Sequence, residues 1–427
     1  MRSIGPCGDR SMELPPQEVA RTRKPMTQSI SRPASSPTNL DYSIEQAVIE
    51  RYEAGAQAPQ PSLCCPTDYE GNYLAILPQE IIEKDYGCGD PTRFVNVGET
   101  VVDLGSGAGK NCYILAQKVG AEGRVIGVDF NDEMLTLARK YVDPMALKLG
   151  YSNTQFVKGK IQDLGLSLDL VAAWLREHPV SDLEGVAAYE AECDRLRREI
   201  PLVESDSVDV VISNCVLNLV RPEDKQQLFG EIFRVLKRGG RAVISDIVCD
   251  ETPTAEILND PELWSGCIAG AFREDEFLAM FEQAGFYGVE ILVQQSEPWQ
   301  TIDGIEFRSV TVRAFKGKEG ACLDCKQAVV YKGPWKSVQD DDGHTLYRGQ
   351  RMAVCAKTFD IYTSPRGPYS PDVIGLEPYD PVPPDSAPEF NCAINAIRAP
   401  REMKGADYTV TSTAEPTSCC EPQSSCC

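Results

Sequence analysis

From residue 100 the chain alternates short apolar runs with amphipathic stretches. Residues 100–104 (TVVDL), 125–128, 156–157, 208–213 (VDVVIS) and 241–247 are rich in β-branched and aliphatic side chains with little polar interruption. Such runs predict strands covered on both faces. Between them, 111–119, 132–149 and 222–236 repeat apolar positions at steps of three and four and predict helices. The last opens on Pro222 and closes before Gly239-Gly240, the residue types that start and stop a helix. Strands alternating with helices predict βαβ units, and hence a doubly wound, Rossmann-like α/β fold with a parallel sheet. A helix at 43–54 precedes it. A further helix at 275–284 ends at Gly285, and 289–294 with 307–314 predict a terminal antiparallel pair.

The pattern divides the chain further. Residues 165–205 form an extra helical stretch rich in both charge signs, read as an insertion on the flank of the sheet. After Lys316 come short β-like pieces (328–331, 352–356) and turns such as Asp342-Gly343, which predict a small mixed α/β C-terminal domain over 316–375. Residues 1–40 carry arginines, serines and prolines, and 376–427 are acidic and Pro-rich. Both predict disordered tails. Residues 41–99 read as N-terminal helices with a Cys-containing loop, and 100–315 as the main α/β domain.

Charge and composition narrow the function. Against 42 Lys+Arg stand 64 Asp+Glu, a formal charge of −22. No basic stripe is offered to nucleic acid, and nothing draws the chain to an anionic membrane. No run of about 18 apolar residues would span a bilayer. With only two histidines, His178 and His344, a His-based triad or a three-His metal site is nearly excluded by counting. The seventeen cysteines lack a secretory leader ahead of them, so they predict a reduced, cytoplasmic protein with thiols free for chemistry.

The run Val101-Val102-Asp103-Leu104-Gly105-Ser106-Gly107-Ala108-Gly109 follows a predicted strand and opens a predicted helix. Glycine is needed where backbone turns tightly and lies against a ligand. Asp129 ends the next strand, where a carboxylate can accept from both ribose hydroxyls. A dinucleotide fingerprint would place its third glycine at 110, which is Lys110. The D-L-G-x-G-x-G form, with Asp103 ahead of the first glycine, instead resembles motif I of class I methyltransferases. That acid suits a cationic sulfonium and would repel a pyrophosphate.

Most cysteines in a reduced protein are small buried hydrophobes, and Cys112 and Cys249 fit that reading. Four others do not. Cys88 lies in a glycine turn before the cofactor strand. Cys215 lies at the carboxyl end of the fourth strand, and Cys267 after the fifth. In an open α/β sheet the ligand crevice is at those ends. Cys64-Cys65 stands ahead of Cys88. Three convergent thiols without histidine suit a soft acceptor. Cys322-x-x-Cys325 with Cys355 has zinc-like spacing, but one CxxC without a convincing fourth ligand reads as structural.

The motifs DYGCGDP, DLGSGAGKNCY, SNCVLNLV and WSGCIAGAF, in this order and spacing from about Ser62 to Tyr362, resemble the arsenite methyltransferases that use S-adenosylmethionine. The segment CLDCKQAVVYKG (322–333) resembles the C-terminal domain of the microbial enzymes, in which paired terminal cysteines are also common. The resemblance implies a class I methyltransferase sheet with S-adenosylmethionine held by Tyr86, Asp103, Gly105, Ser106, Gly107, Asp129, Phe130, Met134, Ile161, Gln162 and Asn214. It implies that Cys88, Cys215 and Cys267 bind As(III), with Cys64 or Cys65 completing a redox relay. Its substrates would be arsenite and methylarsenite, free or as glutathione conjugates. Thioredoxin or glutathione would be the reductant, and the enzyme would work as a monomer in arsenic detoxification. An O- or C-methyltransferase of a small lipid or quinone, and a thiol-based metalloid scavenger without catalysis, are the alternatives. The first would leave the three thiols incidental, and the second the glycine loop.

Overall fold

The computed structural model describes residues 39–60, 69, 71–405 and 408. Its central sheet contains β1 (Thr100–Leu104), β2 (Arg124–Asp129), β3 (Thr154–Lys158), β4 (Val208–Asn214), β5 (Leu236–Cys249), β6 (Phe272–Arg273), β7 (Tyr287–Gln294), β8 (Gln300–Ile302) and β9 (Ile305–Phe315). The order is β3-β2-β1-β4-β5-β9-β7, with β6 beside β5 and β8 beside β9. Strands β1 to β5 run parallel, while β9 is antiparallel to both β5 and β7. The terminal pair is therefore present as expected, with its second strand inserted between the first and β5.

The apolar runs follow from burial on both faces. Val102, Leu104, Ile126, Val128 and Val211 point to one side, against Leu228, Phe229, Ile232 and the Phe277–Phe281–Phe286 cluster. Their neighbours Val101, Val125, Val210 and Ile212 point to the other, against Ile114, Leu115, Met134 and Leu135. The period of two thus places apolar side chains in both cores. The helix expected over 132–149 is two helices, Asp132–Lys140 and Val142–Leu149. Pro144 lacks the N–H that would bond the carbonyl of Lys140, and its ring opposes a continuous helix there. The 165–205 stretch is a helical hairpin, Leu168–Glu177 and Leu183–Glu199, beside the β3 edge. It carries a small core of Leu166, Val171, Cys193 and Leu196. No helix among the described residues is long and apolar enough to cross a membrane.

One buried ion pair fastens the base of the sheet. Arg241 on β5 donates to both carboxylate oxygens of Glu99, at 2.9 and 2.8 Å, and to the carbonyl of Phe94 at 2.6 Å. Burial pushes the Glu99 carboxyl up, but the bonds from Arg241 and Asn96 outweigh it and hold the group below its ordinary value. Removing one partner strands a buried charge. Arg241→Met should therefore cost about 3–5 kcal/mol in urea unfolding, and adding Glu99→Gln should recover much of it.

Beyond Phe315 the small domain holds β10 (Ala328–Tyr331), β11 (Ser337–Gln339), β12 (Thr345–Tyr347), β13 (Arg351–Ala353) and β14 (Val373–Leu376), with the helix Ala356–Thr363 over its core. It extends further than expected. Residues 376–405, assigned by composition to a disordered tail, are folded onto it. Arg398 N–H donates to the Arg351 carbonyl at 2.8 Å, Ala353 N–H to Ala396 at 2.9 Å, and Met403 is buried. Proline-rich chain forms little regular ladder, so composition hides an extended segment held by single bonds and one ion pair, Arg398–Asp324 at 2.5 Å. The expected tails over 1–38 and 409–427 lie outside the described residues.

Candidate active site

The loop after β1 turns at Gly105, Gly107 and Gly109, all with positive φ. A side chain at Gly105 would strike Val216, and one at Gly109 would strike Phe156. At Gly107 a Cβ would project towards open space, its nearest neighbour being Asp85 Oδ1 at 3.7 Å. Backbone there faces a cleft of about 1430 Å³, its open mouth included, at the carboxyl ends of the strands. Tyr86, Gly105, Ser106, Gly107, Asp129, Phe130, Met134, Ile161, Gln162 and Asn214 all line it. Asp103 does not. It lies below the loop, where its carboxylate accepts from the Cys112 thiol at 3.2 Å, and burial drives it up to about 8. Asp103, expected as a cofactor contact, is thus set back from the cleft wall, with its carboxylate tying β1 to the helix that follows the loop.

Asp129 Oδ2 accepts from Gly107 N–H at 2.9 Å, and Oδ1 from Asn131 N–H at 2.8 Å. Burial raises its pKa, against the pull of these backbone bonds. The carboxylate is thus held rigidly at the cleft wall with acceptor capacity left over. Ser106 Oγ is buried there without a protein partner. A nucleoside with hydroxyls for Asp129, filling the space above Gly107, fits these residues.

The N-terminal helix Asn39–Gln57 closes one side of the cleft with Val48, Ile49 and Tyr52. Arg51 fixes it by donating to Glu262 O and Ser265 Oγ, each at 2.9 Å. Sequence reading missed these residues, because nothing local in a single helix reports where it docks.

Cys215 and Cys267 line the far end of this cleft, and Cys88 lies beside Cys215 behind that wall. Cys215 follows β4 directly with φ +64°, and Cys267 has φ +63°, a conformation that costs a non-glycine residue energy and clusters at functional sites. Cys215 N–H donates to Ser245 O at 2.8 Å, and the Cys267 thiol donates to Cys215 O at 3.0 Å. Gly270 lets the Cys267 loop close, since a Cβ there would sit 1.9 Å from Asn218 O. Cys88 arrives on the turn before β1. Asn214 Oδ1 accepts from Cys88 N–H at 2.9 Å and Gly89 N–H at 3.1 Å, while its Nδ2 donates to Gly89 O at 2.8 Å. Ser309 on β9 donates to Cys88 O at 2.6 Å. Asn214, expected as a cofactor contact, thus lines the cleft while its polar atoms clamp the Cys88 turn.

Cys215 is the middle member, within reach of both Cys88 and Cys267. Those neighbouring thiols, and then burial, raise its pKa, while burial chiefly raises that of Cys88. Cys88, Cys215 and Asp246 bring their ligand atoms within 4.8 Å of one another. Asp246 was not legible as a site residue. It accepts from Leu217 N–H at 2.9 Å and so shapes the turn after Cys215, and burial pushes it up to about 7. Cys112 is buried in the core on the other face of the sheet, and Cys249 shares a core cluster with the three thiols but turns its own thiol to donate to Phe272 O at 3.3 Å. Cys64 and Cys65 lie outside the described residues.

The sheet order, the glycine turn after β1 and the acid ending β2 on one cleft define a class I S-adenosylmethionine-dependent methyltransferase. The family model "Methyltransferase domain" matches residues 96–173 and 181–285, and "Domain of unknown function (DUF8838)" matches 318–408. An arsenite methyltransferase of Aquipseudomonas alcaligenes is 32% identical over 321 residues, covering 71% of this chain and 82% of that protein. The arsenite methyltransferase of Homo sapiens is 31% identical, covering 69% and 72%. The chain also aligns with the crystal structure of an arsenic(III) S-adenosylmethionine methyltransferase from Chlamydomonas reinhardtii, at 28% identity, covering 77% of this chain and all of that one with a TM-score of 0.49. The chain belongs to the arsenite methyltransferase family.

Proposed function

We propose that this chain methylates trivalent arsenic held by Cys88, Cys215 and Cys267. The convergence of three cysteines from three separate motifs beside the glycine-loop cleft carries this reading. Arsenous acid exchanges its three hydroxides for three thiols, As(OH)3 + 3 Cys-SH → As(S-Cys)3 + 3 H2O. Each thiol proton leaves on a hydroxide as water, so the raised thiol pKa values do not oppose binding and no external base is required. Three thiolates form a pyramid, and the arsenic lone pair occupies the remaining direction.

S-adenosylmethionine supplies an electrophilic methyl group when bound. The residues assigned to hold it are those lining the glycine-loop end of the cleft, with Asp129 on the ribose. The protein's part in transfer is proximity and orientation, which accounts for a site without histidine. Tyr52 and the N-terminal helix cover the thiols; its hydroxyl lies 3.9 Å from Cys267 Sγ. Methylation takes arsenic formally to the pentavalent state. A cysteine pair, one member being Cys64 or Cys65, returns it to the trivalent state by giving up two electrons as a disulfide. Thioredoxin or glutathione thiols then reduce that disulfide. The free cysteines of the described residues, most of them buried, support action in a reducing compartment such as the cytoplasm.

Purified chain incubated with arsenite, glutathione and S-adenosylmethionine should yield methylated arsenicals on chromatographic speciation. Unchanged arsenite would overturn the reading. In calorimetry, Asp129→Ala should weaken S-adenosylmethionine binding by about tenfold or more, since hydrogen bonds to a charged group are each worth about 1.5–3 kcal/mol. Arsenite binding should be unaffected.

A further inference from the structure

A second thiol cluster lies outside the catalytic cleft. Cys322, Cys355 and Cys392 hold their sulfurs within 4.8 Å of one another, although they are far apart in sequence and belong to three different segments of the small domain. Backbone bonds bring those segments together. Phe390 N–H donates to Cys322 O at 2.8 Å, Asp324 N–H to Pro388 O at 2.8 Å, and Ala356 N–H to Leu323 O at 2.9 Å. Cys355 caps the helix Ala356–Thr363, and its sulfur accepts from Thr358 N–H at 3.4 Å. Cys355 is fully buried, whereas Cys322 and Cys392 are half-buried, so the cluster has a solid floor and an open rim. The sequence had suggested Cys325 as the third member. The structure replaces it with Cys392, from the segment that composition had assigned to a tail.

We infer that Cys322, Cys355 and Cys392 form a second, non-catalytic site for trivalent arsenic, which captures arsenite at the protein surface. Bonds of about 2.3 Å at the roughly right angles of a trivalent pyramid put the sulfurs ~3.3 Å apart, so side-chain rotations must draw in the three sulfurs, now within 4.8 Å of one another. Among the described residues no histidine or carboxylate joins the group. Structural zinc takes four protein ligands. Three thiolates alone complete the shell of a trivalent pnictogen, whose lone pair fills the fourth direction. Binding exchanges three hydroxides for three thiols with release of three waters, as in the cleft, and involves no electron transfer. The choice of arsenic as ligand rests on the proposed function.

The test counts arsenic bound per full-length reduced chain by equilibrium dialysis against arsenite without S-adenosylmethionine. Compared with the unsubstituted chain, the triple Cys322→Ser, Cys355→Ser, Cys392→Ser variant should bind one arsenic fewer. The Cys88→Ser, Cys215→Ser, Cys267→Ser variant should independently lose one. No change with the first triple overturns the second site, and no change with the second overturns the catalytic assignment, so the two failures are distinct. Cys392→Ser alone, on a surface segment, guards against misfolding. It should weaken the second site about tenfold or more, because a third ligand on one chain acts at millimolar effective concentration. X-ray absorption of the arsenic-loaded cleft triple should show three As–S bonds. One zinc per chain as purified, retained through dialysis against arsenite and lost with the Cys322, Cys355 and Cys392 changes, would overturn the inference.

Discussion

Replacing Cys215 or Cys267 with serine should abolish methylation of both arsenite and trivalent methylarsenite while leaving S-adenosylmethionine binding intact. Serine keeps the shape and still tolerates, as poorly as cysteine does, the positive φ at both positions. It replaces a soft ligand with a hard one that trivalent arsenic holds weakly. Cys215 is in reach of both other thiols, so its loss breaks the centre of the group. The Cys267 sulfur donates to the Cys215 carbonyl and ties the two loops together. The drop should be at least about 10³-fold, corresponding to ~4 kcal/mol of transition-state stabilisation. Calorimetric titration of the same variants with S-adenosylmethionine separates a lost ligand from a collapsed cleft. Cys249→Ser is the control: that thiol is equally buried, but a hydroxyl can still donate to Phe272 O, and activity should persist. Near-normal turnover by either site variant would end the assignment.

The main sheet was legible because its strands are buried on both faces and its loop needs glycine where backbone meets a ligand. The same logic put Cys215 and Cys267 in the crevice, since residues that follow parallel strands must gather there. Tyr52 and Asp246 were not legible. The first depends on where an isolated helix docks, and the second is one buried acid in an apolar strand with no local pattern to mark it. Asp103 lies off the cleft lining, because a motif records that an acid is present but not which way it faces. Cys392 was missed because pairing of a Pro-rich segment across the small domain leaves no periodic trace.

Cys88 differs from the other two thiols in what carries it, and the substrates should reveal this. Cys215 and Cys267 follow elements of the sheet's carboxyl edge, whereas Cys88 sits on a turn clamped by Asn214 and Ser309. Trivalent methylarsenite already has carbon in one ligand position and needs only two protein thiolates. Cys88→Ser should therefore lose activity on arsenite and keep it on methylarsenite. The double change of Cys64 and Cys65 to serine should show the same split if that pair feeds the reducing disulfide, and it avoids choosing between neighbours. Asn214 sharpens the test. If it acts through the Cys88 turn, Asn214→Ala should depress arsenite turnover more than methylarsenite turnover. If its role is in cofactor binding, both should fall together with S-adenosylmethionine affinity. Equal loss on both substrates for Cys88→Ser would contradict this division of labour, because it would make the third thiol as necessary to a two-ligand substrate as to a three-ligand one.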